Sequence, residues 1–176
     1  MTRSWIFVAV LVLTPLAVYW PTVFHEYGFR DDYADLREAR EVPQNVVRFT
    51  SSLARPLYGA LLIATVSPLG GVVENLQWLR LGSVLLLGLL GSALWRVLMR
   101  AHWPPVDAAV AALMVTLLPA AQITVGWSIA WPIALSLLLS LTGFRMTDAA
   151  LARRGGARVA LGLAAGAAYC AAFLAS

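Results

Sequence analysis

Long apolar runs decide what this chain can fold into. A transmembrane helix needs about 20 mostly apolar residues, and five runs approach or reach that length. They cover about residues 5–24, 79–98, 106–123, 129–144 and 158–174. Only 12% of the residues are charged, whereas about a quarter are charged in an ordinary soluble domain. The sequence therefore predicts an all-α integral membrane protein, one membrane domain over residues 1–176 with about five transmembrane helices.

The first apolar run is predicted to be a retained signal-anchor, because it is longer than a usual signal peptide and lacks a small-residue cleavage site at its end. Residues 25–78 follow it as the only long polar insertion. Within the insertion, residues 32–40 are typical of a charged helix that Pro43 ends, with Glu38 among its solvated residues. A second short helix is predicted over about residues 45–53.

One stretch of this insertion, residues 56–73, is apolar enough to raise the alternative of a sixth crossing. Ser67-Pro68 and Gly70-Gly71 interrupt it and leave about three turns of good helix. We therefore predict an amphipathic helix over residues 57–66 that lies along the membrane surface.

Arginine placement supports that choice and predicts the orientation. With residues 57–66 on the surface, the arginines of the later connections fall on the same side as Arg3, as the positive-inside rule requires. These are Arg96, Arg100, Arg145, Arg153, Arg154 and Arg158. The sequence thus predicts a multi-pass protein with a cytoplasmic N-terminus and an extracytoplasmic loop over residues 25–78. The net charge of +4 is explained by this topology, so nucleic acid is not a predicted partner.

Two adjacent carboxylates, Asp31 and Asp32, follow the first apolar run directly. Adjacent residues of a helix point in different directions, so we expect one to face a reaction centre while the other orients it or caps the next helix. The alternative is that both only cap that helix. A divalent metal ion is a further possibility, with His25 and Glu26 as additional ligands, although no metal-ligand spacing supports it.

Three further residues lie at the predicted membrane boundary. Arg55 precedes Pro56, where its guanidinium is placed either to bind a phosphate through two hydrogen bonds or to anchor the surface helix among lipid headgroups. Gln122 and Trp127 lie where the third and fourth predicted crossings meet the outer face. They are typical of an interfacial aromatic belt, and the alternative is a wall that lines a sugar or lipid site.

Several short motifs, taken in order, resemble the N-terminal part of the GT-C glycosyltransferases. The resemblance spans about residues 5–145, and residues 27–33 are especially similar to bacterial O-antigen-type glucosyltransferases. The motifs are Tyr27-Gly28-Phe29-Arg30-Asp31-Asp32-Tyr33, Arg55-Pro56-Leu57-Tyr58, Gly70-Gly71, Asn75, Leu118-Pro119, Gln122 and Trp127.

This resemblance implies an enzyme of the cell inner (plasma) membrane that transfers a sugar from a polyprenyl-phosphate donor to a glycan or lipid acceptor at the extracytoplasmic face. It implies that Asp31 or Asp32 is the general base, or holds the acceptor or a metal ion. It implies that Arg55 binds the lipid-linked phosphate or fixes the loop, and that Tyr33 and Tyr58 are candidate substrate-binding residues. Family members have more membrane helices, and this sequence stops inside an apolar run, so an incomplete module is expected.

The alternative class is a non-catalytic polytopic membrane subunit or a transporter fragment. A transporter is expected to place ionisable groups at mid-membrane beside broken helices. The predicted crossings are nearly free of charge, which disfavours ion-coupled transport. The two classes also differ in whether Asp31, Asp32 and Arg55 converge on one cavity.

Overall fold

The computed structural model describes residues 4–29 and 31–176, and each regular element in these two ranges is a helix. Arg3, which the predicted orientation uses, and Arg30, which belongs to the acidic motif, lie outside the described residues. The helices are α1 Ser4–Val23, α2 Asp32–Glu41, α3 Pro43–Ser52, α4 Pro56–Val66, α5 Leu76–Arg100, α6 Pro105–Leu117, α7 Pro119–Gly126, α8 Trp131–Leu151 and α9 Gly156–Ala175. Short 3₁₀ turns cover Ser67–Leu69, Val73–Asn75 and Ser128–Ala130.

Four helical segments are long and apolar enough to span a membrane. They are Ser4–Val23, Val73–Arg100, Ser128–Leu151 and Gly156–Ala175. The predicted all-α architecture is confirmed for the described residues, and four of the predicted crossings correspond to these segments.

The remaining predicted crossing, residues 106–123, is not one straight helix. It is the pair α6 and α7, bent by 51°. Leu118 is extended, with ψ 155°, and Pro119 begins α7. A residue before proline avoids the helical region, so the chain must leave the first helix at Leu118. The two halves together count as a fifth span only if the bend is included.

α5 is the central helix of the bundle and packs against α1, α6 and α8. Its contact with α1 is close because Gly88 has no side chain: a Cβ there would lie 3.0 Å from Val12 Cα. Tyr19, Val84 and Val125 belong to the buried core of this region. α9 packs on α8 and also contacts α4.

α2, α3 and α4 form a small helical layer at one end of the bundle. Its core includes Leu36, Val46 and Leu62, together with Leu76 at the start of α5. α4 has 11 residues, a length of about 17 Å, so it cannot by itself cross a hydrocarbon core of about 30 Å. This length argues against a sixth crossing. The predicted amphipathic character is not found, because α4 carries apolar side chains around its whole circumference.

Candidate functional site

A cavity of about 490 Å³ lies among α2, α3, α4 and the segment that leads into α8. This volume falls within the range of about 300–1,000 Å³ that is usual for small-ligand sites. We call it the acidic cavity because Asp31, Asp35 and Glu38 line it. Arg55, Tyr58 and Trp127 also belong to its lining. It brings together side chains that are as many as 98 positions apart in sequence, from Asp31 to Ile129, so the fold rather than one local motif creates it.

Helical spacing puts three carboxylates on the same wall of the acidic cavity. Asp31 is the residue that precedes α2, and Asp35 and Glu38 follow four and seven positions later, on the same helix face. Burial raises the pKa of Asp35 to about 6, and the charges of Glu38, Asp31 and Asp32 act in the same direction. A carboxyl group with a pKa near neutrality can act as a general base at physiological pH.

Arg55 reaches the acidic cavity from the turn between α3 and α4. Ala54 has a left-handed backbone, with φ 61°, and the Arg55 N–H donates to the carbonyl oxygen of Thr50 at 2.8 Å. This tight turn ends α3 and lets Pro56 begin α4. The exposed Arg55 side chain therefore brings positive charge to a lining whose other charged residues are acidic.

Tyr58 joins α4 to the segment before α8. Its hydroxyl donates to the carbonyl oxygen of Ile129 at 3.1 Å. Burial, followed by the charge of Asp35, raises the pKa of Tyr58 to about 12, so the phenol stays protonated and keeps this hydrogen bond. A second hydrogen bond joins α4 to α8: the indole N–H of Trp131 donates to the Thr65 hydroxyl at 3.3 Å.

Asp32 occupies a different environment from Asp31. It is fully buried, and its carboxylate accepts hydrogen bonds from the N–H groups of Phe29 at 2.8 Å and Ile129 at 3.2 Å. A longer bond of 3.4 Å comes from the Ser128 N–H. Burial raises the pKa of Asp32, and these N–H groups and Arg80 oppose the rise. The geometry makes Asp32 an anchor between the start of α2 and the start of α8.

Arg80 is a buried cation that the sequence analysis did not single out. Its side chain is 1% exposed and donates to the carbonyl oxygens of His25 and Tyr27. It also lies beside the Tyr27 ring, 5.8 Å from the centroid. Its positive charge acts on Asp32 and opposes the rise of that pKa. The sequence did contain a signal for this residue, since a charged side chain at the start of an apolar run is often functional.

The predicted site residues divide into two groups. Asp31, Arg55, Tyr58 and Trp127 line the acidic cavity. Asp32, Tyr33 and Gln122 lie outside this lining: Tyr33 is exposed, with its hydroxyl accepting from the Gly28 N–H at 3.0 Å, and Gln122 is also exposed.

Asp35 and Glu38 are cavity residues that the sequence analysis missed. Glu38 was predicted to be solvated, but it is half-buried and lines the acidic cavity. The signal that could have found them is the spacing of four and seven residues from Asp31, which repeats acidic groups on one helix face.

Trp127, which lines the acidic cavity, has a hydrogen-bond donor without a partner in the part of the chain that the structure describes. Within the described residues, its buried indole N–H has no hydrogen-bond partner, and its ring lies 6.3 Å from that of Phe29. Buried donors are nearly always satisfied in folded proteins.

A metal site is not preformed in the part of the chain that the structure describes. No three His, Cys, Asp or Glu residues there are grouped so that they could hold a metal ion. Asp31 and Asp32, the predicted ligands, face different surroundings.

Comparisons with known proteins leave the function to be argued from this geometry. No family model, no curated protein and no solved structure matches the chain.

Proposed function

We propose that the acidic cavity is the reaction site of a membrane glycosyltransferase of the GT-C type. The enzyme transfers a sugar from a polyprenyl-phosphate donor to a hydroxyl group of a glycan or lipid acceptor. The observation that carries the proposal is the convergence of Asp31, Asp35 and Arg55 on one ligand-sized cavity beside helices that could span a membrane.

The donor fits the distribution of charge and apolar surface around the acidic cavity. Arg55 binds the donor phosphate, because a guanidinium pairs with phosphate oxygens through two hydrogen bonds. Phe49 and Leu53, which line the cavity, are 66% and 52% exposed. They offer an apolar path for the first isoprene units toward the bilayer.

Asp35 is the general base that the electrostatics favour, and Asp31 is the second candidate. The carboxylate takes the proton of the acceptor hydroxyl while the acceptor oxygen attacks the anomeric carbon of the sugar. The bond between that carbon and the phosphate oxygen breaks, and the polyprenyl phosphate leaves with the electron pair. Arg55 stabilises the charge that develops on it. A base of this kind contributes about 10²–10⁴-fold to the rate.

Asp32 serves this reaction as a positioning residue in the proposal. By binding the N–H groups of Ser128 and Ile129, it fixes the wall that carries Trp127. The proposed setting is the cell inner (plasma) membrane, with a cytoplasmic N-terminus and the acidic cavity at the extracytoplasmic face.

The test measures sugar transfer and donor binding with the full chain in membranes. Polyprenyl-phosphate glucose is the donor, and Asp35→Asn, Asp31→Asn and Arg55→Gln are the variants. Transfer should fall about 100-fold or more in Asp35→Asn, and polyprenyl-phosphate binding, followed by native mass spectrometry, should weaken in Arg55→Gln.

Matched controls come from the exposed residues of α2. Glu41→Gln and Arg37→Gln remove the same charges outside the cavity lining and should keep wild-type transfer and binding. The proposal fails if the wild-type chain neither binds the polyprenyl phosphate nor transfers glucose. It also fails if the cavity variants and the controls behave alike, which would favour a non-catalytic membrane subunit.

A further inference from the structure

A second polar site lies at the other end of the helical bundle. Two adjoining cavities of about 230 and 310 Å³ share Arg100 of α5 and Arg145 of α8 as lining residues. We call the pair the basic cleft. No part of the proposed sugar transfer uses it.

The basic cleft is far from the acidic cavity. Arg80 lies at the level of Asp32, and Arg100 is 20 residues further along the same α5 helix. At 1.5 Å per residue this is a separation of about 30 Å, the thickness of a hydrocarbon core. The two sites therefore lie at opposite boundaries of the apolar bundle.

Arg145 has unused binding capacity in the basic cleft. Its Nε is buried and, among the described residues, has no hydrogen-bond partner. A buried donor without a partner needs a physical explanation, and a bound water or ion is a common one. Arg100 on the facing helix is exposed, so a second guanidinium is free to approach the same ligand.

The lining of the basic cleft suits a phosphate group attached to an apolar body. Asp148 lines one of the two cavities, and Val97 and Phe144 give that cavity an apolar wall. Two arginines against one acid leave net positive charge, and guanidinium groups match phosphate oxygens in geometry. Arg153, Arg154 and Arg158 follow in the next connection and helix, where they add to the attraction of anions.

We propose that the basic cleft binds the phosphate group of an anionic membrane lipid, held between Arg100 and Arg145 at the boundary opposite the acidic cavity. Basic pockets between membrane helices are known sites for such headgroups. Free inorganic phosphate offers the same charged group, and the experiment separates the two sources.

The experiment measures thermal unfolding of the purified full chain in a neutral detergent. Phosphatidylglycerol, phosphatidylcholine and inorganic phosphate are titrated separately into the wild-type protein. Phosphatidylglycerol should raise Tm, and Arg145→Gln or Arg100→Gln should weaken its apparent affinity about tenfold, the loss expected for one charge-assisted hydrogen bond. Arg145→Lys should recover only part of the affinity, because an ammonium lacks the forked donor geometry.

Arg96→Gln is the matched control, since it removes one exposed arginine of α5 that lines neither cavity. It should keep wild-type affinity.

A Tm increase with inorganic phosphate that also depends on Arg145 would identify the free anion as a ligand of the same cleft. Equal effects of the two lipids, equal losses in Arg96→Gln and Arg145→Gln, or no effect of any phosphate compound would overturn the proposal. Arg100→Gln, at an exposed position, decides the outcome if Arg145→Gln does not fold.

Discussion

At the residue scale, the neighbouring acids Asp31 and Asp32 have separate tasks. Asp31 lines the acidic cavity, whereas Asp32 is fully buried among backbone N–H groups. This division follows from helix geometry, since residues one apart point about 100° away from each other. The residue that shares a face with Asp31 is Asp35, and burial raises the pKa of its carboxyl group.

The pKa of Asp35 predicts how stability depends on pH. Its value in the folded protein, about 6, lies above the ordinary 3.8. The stability that its protonated form contributes is therefore complete below about pH 4 and is lost as pH rises through 6. After screening by solvent, the loss should be about 1–2 kcal/mol.

Thermal unfolding of the wild type and Asp35→Asn between pH 4 and 7 measures this effect. Tm of the wild type should fall relative to Tm of Asp35→Asn as pH rises. Glu41→Gln, with an exposed carboxylate removed, should follow the wild type. Parallel curves for all three proteins would contradict the assignment.

At the element scale, the segment before α8 holds the layer of α2 and α4 against the bundle. Asp32 binds its N–H groups, and Tyr58 binds its Ile129 carbonyl oxygen. Three elements from distant parts of the chain thus meet at Ser128–Ala130, and the wall of the acidic cavity depends on their bonds.

Replacement of Asp32 tests this junction. Asp32→Asn presents an NH₂ group to backbone donors and leaves the buried Arg80 uncompensated. Each buried hydrogen bond left unsatisfied costs about 1–3 kcal/mol, so Tm and the yield of folded protein should fall. Asp31→Asn, one residue away and exposed, should change Tm little. Equal stability of the two variants would show that Asp32 is not an anchor.

The sequence predicted the helices well where hydropathy alone determines them. Long apolar stretches must be helical in a bilayer, and prolines at 43, 56 and 119 begin helices. Hydropathy predicted α6 and α7 as one crossing because its window averages across Leu118, although the resemblance already placed the end of the third helix at Leu118-Pro119. Arg80 was missed because its burial depends on carbonyl groups more than 50 positions away, which no local pattern encodes.

At the scale of the whole molecule, the fold separates its charges into two boundary layers. The acidic cavity lies in the layer of α2–α4, and the basic cleft lies at the far ends of α5 and α8. The positive-inside rule predicts that the basic end faces the cytoplasm.

Cysteine accessibility tests this orientation. In a Cys170→Ser background, Ser52→Cys and Ala152→Cys place single thiols at exposed positions near opposite ends of the bundle. A membrane-impermeant maleimide should label Ser52→Cys in intact spheroplasts and Ala152→Cys only after permeabilisation, with at least about a tenfold difference in labelling rate. The reversed pattern would invert the proposed topology.

α8 borders both ligand sites. Its first turn continues directly from Trp127 and Ile129, and Arg145 lies four turns further along the same uninterrupted rod. A thinner bilayer would tilt α8, and this tilt would move the Trp127 wall of the acidic cavity and the Arg145 guanidinium together. In the proposed enzyme, sugar transfer at one face of the membrane would therefore respond to the lipid composition of the opposite leaflet.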